Sequence, residues 1–173
     1  MVVNEAELDW TAVVDGDADG DAGFRRKKLA AADGGDRVGC SLYELPPGER
    51  SWPYHYHEGN EEAVYVLAGS GRLRTPGGEL PLEPGDYAAL PAGREGAHRV
   101  VNDGDDSLRY LVVSTMVTPD VTVYPDSDTV GVFTGAAPGG EGDRPVHGYF
   151  PRSAAVDYRT EVATGADGEG ESD

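Results

Sequence analysis

With 173 residues, 38% of them hydrophobic, the chain has the apolar surface for one core and one domain. A net charge of −18, from 32 acidic against 14 basic residues, repels nucleic-acid phosphates and anionic lipid, so neither nucleic acid nor membrane is an expected partner. The single cysteine, Cys40, excludes an intramolecular disulfide framework and a cysteine metal cluster, and without an apolar leader or span the expected location is cytoplasmic.

Residues 1 to 36 read as an acidic N-terminal extension with one candidate strand. Within it RRKKLAAA, residues 25 to 32, fits a strand or a short helix. DGDADG opens like a calcium loop, with Asp15, Asp17, Asp19 and Gly20 in place, but its twelfth position is Arg26 where a bidentate glutamate is required. A solvated acidic loop is expected there. The lysines are only Lys27 and Lys28, and this acidic, lysine-poor composition resembles that of halophile proteins.

Residues 37 to 116 alternate short apolar runs with Pro/Gly turns, the pattern of an antiparallel sandwich or barrel. TPGG (75 to 78) is expected to be a hairpin turn and EPGD (83 to 86) a type II turn, both between neighbouring antiparallel strands. Cys40 alternates with Val38 and Leu42, so it is expected to be a small core residue. Residues 117 to 163 should add strands at DVTVY (120 to 124) and TVGVF (129 to 133), a loop over GAAPGGEGDRP, and a strand or strap packing on the barrel from HGYF and AVDYRTEV. Residues 164 to 173 form an acidic tail too polar to order itself.

Chemistry concentrates in HYHEGNEEAVYVLAG, residues 55 to 69. Side chains alternate across a strand, so His55 and His57 point the same way. Glu62 shares a strand face with Val64 and Val66, where an uncompensated carboxylate would be costly. His98 shares parity with Val100 on a second apolar face. Three neutral imidazoles and one carboxylate suit a divalent Fe, Mn, Ni, Cu or Zn ion without choosing among them.

Other polar residues carry weaker expectations. Glu61 should face solvent, His147 has no obvious partner, and Tyr54 and Tyr56 fall opposite the histidine pair. Arg72, Arg74 and Arg109 could bind an anionic substrate, but pairing with surface carboxylates is the simpler expectation. No nucleophile elbow or phosphate-cradling loop is present in the sequence.

At this point the chain resembles the cupin superfamily. GERSWPYHYHEGNEEAVYVLAG, from Gly48 to Gly69, follows the first cupin motif, with Glu62 at the family's interval to Gly69. Gly85, Pro91, Gly93, His98 and Asn102 follow the second. The interval from Gly48 to His55 is one residue longer than usual, and that from Gly93 to His98 is four residues instead of two. LPPGE and TVYPDS also look like an uncharacterised single-domain subgroup. The resemblance implies an all-β fold, a single double-stranded β-helix or jelly-roll barrel with N- and C-terminal extensions. It implies one divalent metal held by His55, His57, Glu62 and His98, a small-molecule ligand or substrate in the barrel, and a homodimer. If the protein is an enzyme, the resemblance implies a dioxygenase or a sugar isomerase or epimerase. The alternative is a non-catalytic binding or structural module.

Overall fold

A computed structural model describes residues 2–14 and 23–158. The candidate calcium-loop positions Asp15, Asp17, Asp19 and Gly20 lie outside the described residues, as do the last residues of AVDYRTEV and the acidic tail. In chain order the elements are β1 (Thr11–Val14), β2 (Gly23–Lys28), α1 (Leu29–Ala32), β3 (Val38–Leu45), β4 (Tyr56–His57), β5 (Glu62–Ala68) and β6 (Gly71–Thr75). They continue as β7 (Gly78–Leu82), β8 (Tyr87–Leu90), β9 (Arg99–Val101), β10 (Leu108–Thr115), β11 (Asp120–Tyr124), β12 (Thr129–Phe133) and β13 (His147–Pro151). The all-β class expected from the sequence is the observed one.

The strands form three antiparallel sheets, ordered β1-β2-β3-β10-β5-β8, β13-β12-β11-β4 and β7-β6-β9. RRKKLAAA divides between both expected states. Its first half is in β2, where pairing with β3 satisfies the backbone. Its second half, LAAA, turns into α1 as soon as the alanines supply high helix propensity. The N-terminal segment thus extends the barrel's largest sheet through β1 and β2.

TPGG closes the β6–β7 hairpin, with Thr75 opposite Gly78. EPGD behaves differently. Its Gly85 has φ 97°, in the left-handed region that a type II turn demands, and the Asp86 amide donates to the Glu83 carbonyl at 3.0 Å. But β7 pairs with β6, and β8 pairs with β5. The turn therefore carries the chain from one sheet to another instead of joining neighbours, a distinction that turn chemistry alone does not encode.

Strict alternation builds the core. On β5, Val64 and Val66 are buried while Tyr65 and Leu67 face out. Leu108 and Tyr110 do the same on β10, and Leu73, Leu82 and Val100 close the core from the three-stranded sheet. Each such side chain contributes about 2 kcal/mol by leaving water. Cys40 is only half-buried and lines the internal cavity rather than the core, and burial raises its thiol pKa.

Candidate metal centre

The candidate ligands lie where the three sheets meet. Glu62 enters from β5, inward-facing and two residues before Val64, with Ser114 and Leu90 as its cross-strand neighbours. His57 ends β4 and pairs with Thr122 of β11. His55 and His98 form a two-way backbone bridge: each amide donates to the other's carbonyl, at 3.2 and 2.8 Å. That bridge links the first motif to the approach to β9.

His55, Glu62 and His98 each offer a ligand atom within 4.8 Å of the others. His98 Nε2 is 3.3 Å from Glu62 Oε2, and His57 Nε2 is 3.7 Å from the same oxygen, outside the tight group of three. Every imidazole is tied on its far side. Nδ1 of His55 donates to the Pro53 carbonyl at 2.7 Å and Nδ1 of His98 to the Gly96 carbonyl at 2.9 Å. Nδ1 of His57 donates to the Asp120 carboxylate at 2.6 Å. Acceptors at Nδ1 place the proton there and leave an Nε2 lone pair available, the arrangement metal-ligating histidines use. The donor set thus fits a borderline divalent cation.

Burial, then repulsion from His98, holds the His55 pKa down to about 3, so this ring is neutral. For His57 burial acts downwards too, but the Asp120 hydrogen bond and the Glu62 and Asp120 charges outweigh it and the net shift is upward. Glu62 shows the converse balance. Burial would raise its carboxyl, yet the His98 hydrogen bond and three neighbouring rings bring it down to about 2. A carboxylate kept ionised in this position is ready to bind a cation.

β11 supplies residues that sequence reasoning missed. Asp120, 1% exposed, and Thr122, whose hydroxyl lies 3.1 Å from His57 Nδ1, both address the same ring. Tyr124, next on that face, stacks on His55 with ring centroids 5.8 Å apart. The signal was present in DVTVY: an aspartate at an inward parity position of a buried strand needs a partner.

The longer interval before His98 is a 3-10 turn, Arg94–Gly96, tied to the site by a Gly93 amide bond to the His57 carbonyl at 2.7 Å. Glu61 is exposed, as expected. Arg72 pairs with Asp103 and Glu79, Arg74 with Asp126, and Arg109 with Glu5 and Glu44, so the simpler expectation for all three holds. His147 is exposed on β13 with its Nδ1 3.0 Å from the Arg144 carbonyl. All four candidate ligands line one cavity of about 540 Å³, a volume typical of small-molecule sites.

The barrel and the site define the class: the chain belongs to the cupin superfamily. A cupin-domain family model matches residues 41–114. A solved protein of Acidithiobacillus ferrooxidans, assigned as a sugar phosphate isomerase, is 31% identical, with 80% of this chain and 83% of that one covered and a TM-score of 0.68. A cupin-superfamily sugar phosphate isomerase of Silicibacter pomeroyi is 27% identical, covers 88% of this chain and 94% of its own, and has a TM-score of 0.75. The oxalate-binding protein of Thermotoga maritima is 36% identical over 70 residues, 40% of this chain. The match spans 55% of that curated relative's length. Among the described residues no helix is long and apolar enough to cross a membrane.

Proposed function

We propose that the protein is a metal-dependent cupin enzyme acting on a small, oxygen-rich molecule, with His55, His57, Glu62 and His98 holding one divalent cation. The observation that carries this reading is the set of three Nδ1-anchored imidazoles gathered around the ionised Glu62 inside a ligand-sized cavity. A divalent cation bound there would supply Lewis acidity to a substrate carbonyl or hydroxyl.

The chain's own residues do the rest. Asp120 and Thr122 fix the His57 ring, and Tyr124 covers His55. The cavity walls combine Tyr43, Trp52 and Tyr110 with the polar Ser51, surfaces that hold an oxygenated molecule by stacking and hydrogen bonding. A site that opens on such a cavity favours an enzyme over a structural metal sealed by apolar side chains.

Sugar phosphate isomerisation is the first reaction class to test, because two relatives that match 80% and 88% of this chain carry that assignment. Binding of a small dicarboxylate, as in the oxalate-binding relative, is the second. The test is conversion of aldose phosphates to ketose phosphates by the metal-loaded protein. Turnover lost on chelation and restored by metal supports the reading. A metal-loaded protein that converts no sugar phosphate but binds oxalate supports the second reading instead.

A further inference from the structure

The histidine site makes up only part of the cavity wall. From β2, Arg26 and Lys28 also line it on alternate positions, opposite Tyr43 and Ser41 of β3. This strand lies outside the residues that match the cupin-domain model. Arg26 Nε is buried with no hydrogen-bond partner, an arrangement that costs stability unless a ligand completes it. Its guanidinium lies over the Trp52 ring, 5.4 Å from the centroid. Trp52 is itself held by a 3.3 Å hydrogen bond from Nε1 to the Tyr43 hydroxyl and by edge contact with Phe24.

The neighbouring cavity cations are engaged. Lys28 Nζ pairs with Glu141 at 2.8 Å. Arg144 donates to the carbonyls of Ala136, Ala137 and Gly140 at 3.0, 2.7 and 3.2 Å. Arg26 also acts on Glu141 through its charge, but among the described cavity cations it is the one with a buried N–H left without a hydrogen-bond partner.

We infer that Arg26 is the anion-binding residue of this cavity. It takes the phosphate or carboxylate of a substrate whose other oxygens lie at the His/Glu site. The inference rests on the proposed function and names the substrate class of the same site. Along the sheet three strand spacings, about 14 Å, separate β2 from β5, and Glu62 lies four residues along β5 from Val66, the residue in register with Arg26 through Tyr43 and Tyr110, so roughly 20 Å of backbone spacing parts Arg26 from Glu62. Both side chains reach into that span. The ligand is therefore an extended carbon chain with an anionic group at one end and hydroxyl or carbonyl oxygens at the other. A planar guanidinium fixed over an indole suits either anion, which it can grip by two parallel N–H bonds.

Calorimetric titration of the 173-residue chain, as purified and after chelation, tests this. The probes are ribose 5-phosphate, glucuronate and uncharged ribose, and metal content is measured on the same samples. One charged sugar should bind at least tenfold tighter than ribose. Arg26→Gln should remove that advantage while melting and metal content stay at wild-type values, and Arg26→Lys should restore part of it. Preference for ribose 5-phosphate identifies a phosphate group, and preference for glucuronate a carboxylate. If Arg26→Gln binds the charged sugars as wild type does in both forms, or if neither outcompetes ribose, the inference is overturned. Absence of metal with the Arg26 dependence intact would instead overturn the metal-centre reading alone.

Discussion

Asp120 accepts a 2.6 Å hydrogen bond from Nδ1 of His57, joining a C-terminal strand to the first histidine motif across 63 residues of sequence. The contact orients the ring and, with Glu62, raises its pKa. Asp120→Asn keeps an oxygen acceptor but removes the charge. Metal affinity at pH 8 should fall about tenfold or more, as for other outer partners of ligating histidines. The pH midpoint of metal binding should move to lower pH, because His57 then holds its competing proton less tightly. Competition with a chromophoric chelator across a pH series reads both effects.

Gly96 precedes His98 by two residues and its carbonyl anchors that ring. A Cβ at Gly96 would run into the Pro91 carbonyl, which is backbone and cannot swing aside. Gly96→Ala should cost about 3 kcal/mol and lower Tm by roughly 5 °C or more. It should also weaken metal binding. Thermal melting with and without added metal separates the two effects.

Much of this site is legible in the sequence. Alternation in EEAVYVLAG correctly turns Glu62 inward with Val64 and Val66 and Glu61 outward. The cupin barrel follows from the two motifs. Sheet membership is less legible: EPGD has the expected turn geometry but crosses between sheets, because a turn specifies local dihedrals and not which strand the chain pairs with next. Asp120 and Thr122 escaped notice because their partner is distant in sequence. In the sequence Arg26 stands out as a mismatch in a calcium loop and as part of a strand or short helix, and nothing local shows that β2 joins the wall of the cavity.

Arg74 lies 3.9 Å over the buried Tyr54 ring and holds Asp126 through two hydrogen bonds of 2.6 and 2.8 Å. Arg74→Gln should destabilise by about 1 kcal/mol. The ion pair holds the Asp126 carboxyl below its ordinary value. A depressed folded-state pKa contributes stability above the ordinary carboxylate range and loses it as pH falls through the folded value. The pair is largely exposed, so this share is under about 1 kcal/mol. Chemical denaturation at pH 7 and pH 3 should therefore show a smaller gap between wild type and Arg74→Gln in acid.

A net charge of −18 repels itself in dilute buffer. Molar potassium chloride should raise Tm by screening that repulsion. A Tm higher in dilute buffer would contradict the halophile-like reading of the composition.

Metal content, measured by plasma mass spectrometry on protein purified without a histidine tag, tests the central claim most directly. The wild type should carry a divalent transition metal at close to one ion per chain after dialysis, and His55→Ala combined with Glu62→Ala should carry almost none. Equal metal in the two proteins would contradict the ligand set, and a wild type that retains no metal even after loading would contradict the metal centre itself.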